Sequence, residues 1–161
     1  MRKFRPDDAD DLAEILTDKD VTYFEPYETF TAEACVDEAK KFSESSEFFA
    51  VVLGEKVIGK IYFSKKEFGS FEIGYTFNSS FQGKGYARES AEGMIRYAFE
   101  ELGARRIFAE INARNEKSIR LIERLGMRKE ALFRELIPRK ENSDVYDDFL
   151  VYAMLKSEFA R

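Results

Sequence analysis

The sequence predicts a mixed α/β (α+β) protein with a mostly antiparallel sheet of about seven strands flanked by about four helices. Short stretches of alternating apolar residues indicate strands, and 71–77 is the clearest of them. Apolar residues at helical spacing indicate helices, as in 87–102, and glycines or polar residues separate the two kinds of segment. Their order along the 161 residues is β-α-α-β-β-β-α-β-α-β-β.

The first half of the chain contains four predicted strands and two predicted helices. Met1–Phe4 is a candidate strand that Pro6 ends, and a helix with Leu12 and Leu16 on one face follows. Thr31 is a suitable N-cap for a second helix reaching about residue 43, and 21–30 is predicted to be irregular. Segments 48–53, 57–63 and 71–77 predict an antiparallel meander whose first turn is 54–56.

The second half alternates helices and strands before a final pair of strands. A glycine-containing loop at 82–87 precedes a helix that Gly103 ends, and a strand at 106–113 follows. A helix at 117–125 has Gly126 at its C-cap, and strands at 128–136 and 145–155 flank a polar loop at 138–144. No repeat or linker is visible, so we expect a single domain over residues 1–161.

Composition excludes several classes of chemistry. Histidine is absent, which removes Ser-His-Asp and Cys-His schemes and the usual zinc sites, and no metal is expected. A single cysteine, Cys35, cannot form an internal disulfide, and no signal peptide or membrane-spanning stretch is evident, so a cytoplasmic location is predicted. The net charge of −5 argues against a nucleic-acid partner.

The loop between the third meander strand and the following helix is the most informative segment. It consists of Gln82, Gly83, Lys84, Gly85, Tyr86 and Ala87. Main-chain N–H groups at the start of a helix bind anions, and the glycines allow a phosphate to approach closely. The nucleotide P-loop requires Ser or Thr where Gly85 stands, and the dinucleotide fingerprint requires glycine where Arg88 stands. The remaining pattern is Gln-x-x-Gly-x-Ala.

That pattern resembles the acyl-CoA pyrophosphate loop of the GNAT superfamily, the Gcn5-related N-acetyltransferases. A second motif, Asn115-x-x-Ser118 followed by Leu125-Gly126-Met127, is similar to the family's Asn-x-x-Ser … Leu-Gly-Phe signature. Residues 148–155 resemble the closing strand of the Rim-type branch, which includes ribosomal-protein N-terminal acetyltransferases. The resemblance extends over essentially the whole chain, and the predicted element order is that of the GNAT fold.

The resemblance implies an acetyl-CoA-dependent N-acetyltransferase, with direct attack by a primary amine in a ternary complex. Strands 71–77 and 106–113 would splay apart to admit the pantetheine arm, which would contact the main chain of Tyr75 and Phe77. The pyrophosphate would lie on the amides of residues 82–87, beside the charge of Lys84, and Asn115 would contact pantetheine through its side chain. Asn115 is equally suited to a simple N-cap. A non-catalytic acyl-CoA-binding or regulatory domain is the alternative function.

The catalytic groups are less clearly marked than the cofactor loop. Many family members have a tyrosine acid seven residues beyond the asparagine, where this chain has Ile122. Ser118 matches a serine that the Rim-type branch places near the sulfur, and it equally fits a first-turn helix position. Glu72, on the face of its strand opposite Phe71, is the candidate base; a solvated strand end or an ion pair would explain it equally.

The acceptor side of the family lies between the first two helices. Here that segment contains Tyr23, Glu25, Tyr27 and Glu28, an acidic and aromatic set that favours a cationic amine, although a solvated acidic loop explains the same residues. The acceptor is expected to be a small molecule or a peptide, with no membrane partner. The oligomeric state stays open, a homodimer being the commonest closed assembly. Cys35 is expected to be packed rather than reactive.

Overall fold

A computed structural model describes residues 1–159 of the chain. Seven strands form one sheet in the order β1-β2-β3-β4-β5-β7-β6. The chain divides into two compact units: unit 1 contains Met1–Ser64 and Gly74–Gly93, and unit 2 contains Lys65–Ile73 and the described residues from Met94 onward. The predicted domain limit at Arg161 lies outside the described residues.

Unit 1 contains the N-terminal helices and the first strands. The first three strands are β1 (Arg2–Lys3), β2 (Phe48–Leu53) and β3 (Lys56–Lys65, whose last residue belongs to unit 2). Strand β2 pairs antiparallel with both β1 and β3. Helices α1 (Ala9–Leu16), α2 (Lys19–Thr22) and α3 (Ala32–Glu44) lie between β1 and β2. Thr31 caps α3 as predicted, because its Oγ1 accepts a hydrogen bond from Ala34 N at 3.3 Å.

The core of unit 1 forms where the apolar faces of α1 and α3 meet β1–β3. Its fully or nearly buried members are Phe4, Leu12, Ile15, Leu16, Cys35, Ala39, Phe42, Ala50 and Val57. Cys35 is completely buried, and burial raises the pKa of its thiol, so the prediction that it is packed is confirmed.

Unit 2 contains a parallel strand pair. Strand β4 (Ser70–Phe77) runs parallel to β5 (Arg106–Asn112), with Ser70–Glu72 in register with Arg106–Phe108. Strand β5 also pairs antiparallel with β7 (Asn142–Leu155) over seven residues, 106–112. Helix α4 (Tyr86–Glu100) precedes β5, α5 (Glu116–Arg124) follows it, and α6 (Lys156–Phe159) follows β7. The remaining strand, β6 (Arg128–Arg139), pairs with β7.

The prediction of a mixed, mostly antiparallel sheet with seven strands is confirmed. Four helices have eight residues or more, and α2 and α6 are additional four-residue helices, so the segment 21–30 is partly helical at its start. None of the helices within residues 1–159 is both long enough and apolar enough to span a bilayer.

The prediction of a polar loop at 138–144 is wrong. Strands β6 and β7 extend to Arg139 and from Asn142, so a tight turn at Lys140 and Glu141 joins them. Hydrophobic residues alternate too weakly here for the strands to be recognised, because most side chains of β6 are exposed. The register of β6 against β7 shifts at three places, within 129–131, 133–137 and 138–139, and Glu135 has a left-handed φ of 48°.

A buried carboxylate ties this hairpin to β5. Asp147 is 5% exposed and accepts hydrogen bonds from Asn112 Nδ2 at 3.0 Å and from Arg139 Nη2 at 2.8 Å. Arg114 Nε lies 3.0 Å from the same carboxylate. Burial alone would raise the pKa of Asp147, but these hydrogen bonds and the charge of Arg114 outweigh it and hold the pKa below its usual value.

Candidate active site

The glycine loop of unit 1 connects β4 to α4 through a short turn. Asn78 caps a 3-10 turn over Ser79–Phe81, its Oδ1 accepting from Ser80 N at 3.0 Å. Gly83 and Gly85 then adopt left-handed φ values of 73° and 88°, which explains why glycine stands at both positions. Helix α4 begins at the next residue, Tyr86.

The main-chain amides of this loop are available to a ligand. Among residues 1–159, no protein acceptor receives a hydrogen bond from the main-chain N–H of Gly83, Lys84, Gly85, Tyr86, Ala87 or Arg88. Gln82 was also predicted to offer its main-chain N–H to a ligand, but that N–H donates a hydrogen bond to Ser79 O at 3.3 Å. A Cβ built on Gly83 or Gly85 would meet no atom within 4 Å. The loop therefore presents a series of donors at a helix N-terminus with open space beside both glycines.

Two side chains brace the loop from within. Gln82 Nε2 donates to Phe77 O at 3.0 Å, which fixes the loop to the end of β4. Lys84 Nζ donates to Ser80 O at 3.0 Å and lies 5.3 Å from the centroid of the Phe81 ring. Lys84 is exposed and carries a positive charge within the loop, which adds to the positive potential of the helix terminus.

The end of β4 is held by a tight packing contact and by three carboxylates. A Cβ on Gly59 of β3 would lie 2.5 Å from Phe77 Cδ1, so the ring of Phe77 rests directly on the β3 main chain. Three hydrogen bonds join the segment 14–25 to the end of β4: Thr76 Oγ1 to Glu25 at 2.9 Å, Asn78 Nδ2 to Glu14 at 2.9 Å, and Ser79 Oγ to Asp18 at 2.9 Å. Glu25 of the predicted acceptor segment is thus joined to β4, and Glu14 and Asp18, which precede that segment, are joined to the turn before the glycine loop.

The other predicted acceptor residues of unit 1 differ in exposure. Tyr23 and Tyr27 are half-buried, and Glu28 is exposed. The Tyr23 ring packs edge-on against Phe24 with centroids 4.7 Å apart, and the Tyr27 ring packs against Phe30 at 5.5 Å. Burial, reinforced by the charge of Glu25, raises the pKa of Tyr27, so this phenol stays protonated at neutral pH.

In unit 2, the candidate base Glu72 forms an ion pair. Its Oε2 lies 3.0 Å from Lys66 Nζ, and its side chain is 25% exposed. Glu110 is close enough that the charge of Glu72 adds to burial in raising the pKa of Glu110. The ion pair is one of the two alternative explanations that the sequence analysis gave for Glu72. The role of Glu72 as a base stays a prediction.

The second motif of unit 2 forms a capped helix start. Asn115 Oδ1 accepts a hydrogen bond from Ser118 N at 3.2 Å, so Asn115 serves as the N-cap of α5. Capping uses only the oxygen of the amide, which leaves its roles as cap and as cofactor contact compatible. Ser118 is half-buried in the first turn, and Ile122 is completely buried, so this helix position carries no acid.

Sequence reasoning missed one buried charge in unit 1. Lys60 of β3 is 3% exposed, and its Nζ lies 5.2 Å from the Tyr27 ring centroid, 5.6 Å from that of Phe48 and 5.9 Å from that of Phe42. The only sequence signal was a lysine within the apolar run 57–63, and alternation alone did not indicate that both faces of β3 are covered.

A strand–loop–helix unit with free amides, set in a seven-stranded mixed sheet, defines an α/β protein whose glycine loop is suited to an anionic ligand. Comparison with known proteins specifies the class. Residues 1–128 match the model of the acetyltransferase (GNAT) domain family. The uncharacterised N-acetyltransferase YnaD of Bacillus subtilis (strain 168) is 34% identical, over 99% of this chain and 94% of YnaD. The uncharacterised N-acetyltransferase p20 of Bacillus licheniformis is 31% identical, with the same shares covered.

A solved structure agrees with these relatives. The GNAT-family acetyltransferase from Bacillus anthracis superposes with a TM-score of 0.90 at 33% identity, covering 98% of this chain and 94% of that one. The chain belongs to the GNAT acetyltransferase family, and it is an acetyl-CoA-dependent N-acetyltransferase that acts on an amine. The resemblance drawn from the glycine loop and the second motif is confirmed.

Proposed function

We propose that the free amides of the glycine loop bind the diphosphate of acetyl-CoA, and that the described chain forms one catalytic domain for transfer to a small-molecule or peptide amine. The observation that carries this proposal is the run of six amides from Gly83 to Arg88 with no acceptor within the described protein. A diphosphate would satisfy several of these donors at once, and the N-terminus of α4 and Lys84 would stabilise its charge.

The pantetheine arm is proposed to run back along β4 from the loop. Strand β4 leads directly into the loop, so the main chain of Tyr75 and Phe77 lies next in line after the diphosphate site. Gln82 acts here through its side chain, which holds the loop against Phe77 O. Asn115 is proposed to contribute its amide nitrogen to the same arm while its oxygen caps α5.

The chemistry is assigned to Glu72 and Ser118. Glu72 is proposed to accept the proton of the attacking amine through a water molecule, with Lys66 as its ion-pair partner at 3.0 Å. Ser118 is proposed to donate a hydrogen bond to the departing thiolate, since the family's tyrosine position holds the buried Ile122. A main-chain N–H of β4 near Tyr75 would polarise the thioester carbonyl.

The binding proposal is tested with Gly85→Val. We expect acetyl-CoA affinity, measured by calorimetry, to fall by about 100-fold or more, because the added side chain fills the open space where a phosphate must approach the amides. The matched control is Gly103→Val, since Gly103 also has a left-handed φ (66°) and open space beside its Cα. Both variants should lose similar thermal stability, whereas only Gly85→Val should lose acetyl-CoA. Wild-type affinity in Gly85→Val would refute the assignment of the loop.

A further inference from the structure

Lys60 is a buried cation that the proposed reaction does not use. The rings of Tyr27, Phe42 and Phe48 surround its Nζ, and within residues 1–159 no hydrogen bond or ion pair engages that atom. Aromatic faces recover part of the lost hydration of an ammonium group, but they supply no acceptor for its three protons. A side chain with this chemistry is suited to bind an anion that enters from outside the protein.

A carboxylate stands near the same aromatic residues without pairing with Lys60. Glu25 interacts electrostatically with Lys60 and also interacts with Tyr27, and its carboxylate accepts a hydrogen bond from Thr76 Oγ1 at 2.9 Å. Burial lowers the pKa of Lys60, and the charges of Glu25 and Glu38 only partly oppose that effect. No ion pair joins Lys60 to Glu25 within residues 1–159, and Lys60 Nζ lies 5.2 Å from the centroid of the Tyr27 ring.

We propose that Lys60 and Glu25 are the two ends of an acceptor subsite for an amine that also carries a carboxylate, that is, an amino-acid-like small molecule. The ligand carboxylate would bind Lys60 Nζ, its ammonium would bind Glu25, and its hydrocarbon part would pack on Tyr27 and Phe48. This inference rests on the proposed function, since it names the acceptor class for the same reaction.

The position of Thr76 sets the direction of the ligand. Thr76 lies between Tyr75 and Phe77, the two residues whose main chain is proposed to hold the pantetheine arm. An ammonium bound at Glu25 therefore lies at the β4 end of the subsite, where the thioester would be, and the carboxylate lies toward β3. In the transfer, the ammonium first gives up a proton through water, and the neutral nitrogen then bonds to the thioester carbonyl carbon. The C–S bond breaks, the nitrogen loses its second proton, and the departing thiolate takes up a proton from water to leave as the thiol.

The test compares L-phenylalanine and L-methionine with their carboxamides and with the decarboxylated amines. For the wild-type protein we expect kcat/KM to be about 10- to 100-fold higher for the free amino acids, because only they offer a carboxylate to Lys60. In Lys60→Met this preference should collapse, with the loss in KM for the amino acid and with KM for acetyl-CoA unchanged. In Glu25→Gln, KM should rise for all three kinds of amine, since each has an ammonium group.

Stability measurements separate a binding role from a structural one. Lys60→Met should raise the midpoint of thermal unfolding at pH 7, since it removes a buried cation that has no acceptor. Loss of amino-acid binding in a more stable variant cannot arise from unfolding, and Lys60→Gln, which is polar but uncharged, provides a second variant. An equal preference for amino acids and carboxamides in the wild type, or an unchanged preference in both Lys60 variants, would overturn the inference. Failure of acetyl-CoA to bind the wild-type protein would instead overturn the proposed function.

Discussion

Glu72→Gln should lower kcat for acetyl transfer by about 100-fold or more, which is within the usual contribution of a positioned general base. The amide keeps the size and the hydrogen-bonding capacity of the side chain but cannot take a proton from the amine. Because Glu72 lies outside the glycine loop, the dissociation constant of acetyl-CoA should change by no more than about threefold. Steady-state kinetics with a reactive amine, together with calorimetry, measure both quantities.

Two neighbouring variants make this result specific. Glu67→Gln removes the same charge from an exposed position in the turn before β4, so it should have close to wild-type kcat. Lys66→Met removes the partner at 3.0 Å while leaving the carboxylate in place, and its kcat should exceed that of Glu72→Gln. Wild-type turnover in Glu72→Gln would remove Glu72 from the mechanism and would leave Glu25 as the next carboxylate to test.

Asp147→Ala should lower the free energy of unfolding at pH 7 by about 2–4 kcal/mol, because it leaves the groups around a buried carboxylate without their acceptor. The buried amide of Asn112 would have no acceptor for Nδ2, and Arg114 and Arg139 would lose their shared anion. Both arginine side chains are partly exposed, so water can replace the hydrogen bonds that they lose with the carboxylate. For this reason the expected loss of unfolding free energy is moderate. Urea unfolding of the variant and of Asp144→Ala, an exposed carboxylate on the same strand, measures the difference.

The same comparison has a defined pH dependence. The pKa of Asp147 is lower in the folded protein than in the unfolded chain, so the folded state gains stability wherever the carboxylate is ionised. That gain is fully present above the unfolded-state pKa of about 3.9 and disappears as the pH falls through the lower folded-state value. The stability gap between wild type and Asp147→Ala should therefore narrow in acid. A gap that stays constant from pH 7 to about pH 2 would contradict the assigned ion pairs.

Local sequence signals were sufficient for most of the helices and strands and for the conformation of the glycine loop. Glycine positions, caps and alternation each depend on near neighbours, which is why Thr31, Asn115 and the two glycines of the loop were placed correctly. The same signals also located strands β2, β4 and β5 to within one residue. The amides of Gly83–Ala87 have no protein acceptor among residues 1–159, whereas the amide of Gln82 donates to Ser79 O, and anion binding by the loop stays a prediction.

Contacts between distant segments were beyond the reach of sequence patterns. The aromatic surroundings of Lys60 come from α3, from β2 and from the irregular segment before Phe30, none of which alternation in β3 could indicate. The acceptor for Thr76 is a glutamate 51 residues away. The hairpin β6–β7 was underestimated because its exposed side chains give little periodic hydrophobicity, which also concealed Asp147.

The irregular strand β6 affects how readily molecules of this protein aggregate at high concentration. It lies at the border of the sheet, and its apolar Leu132, Phe133, Leu136 and Ile137 are exposed. Another chain that tried to extend the sheet there would find its hydrogen-bonding partners interrupted by three shifts in spacing and by the missing N–H of Pro138. The edge strand thus resists fibril-like extension of the sheet, although it exposes apolar side chains.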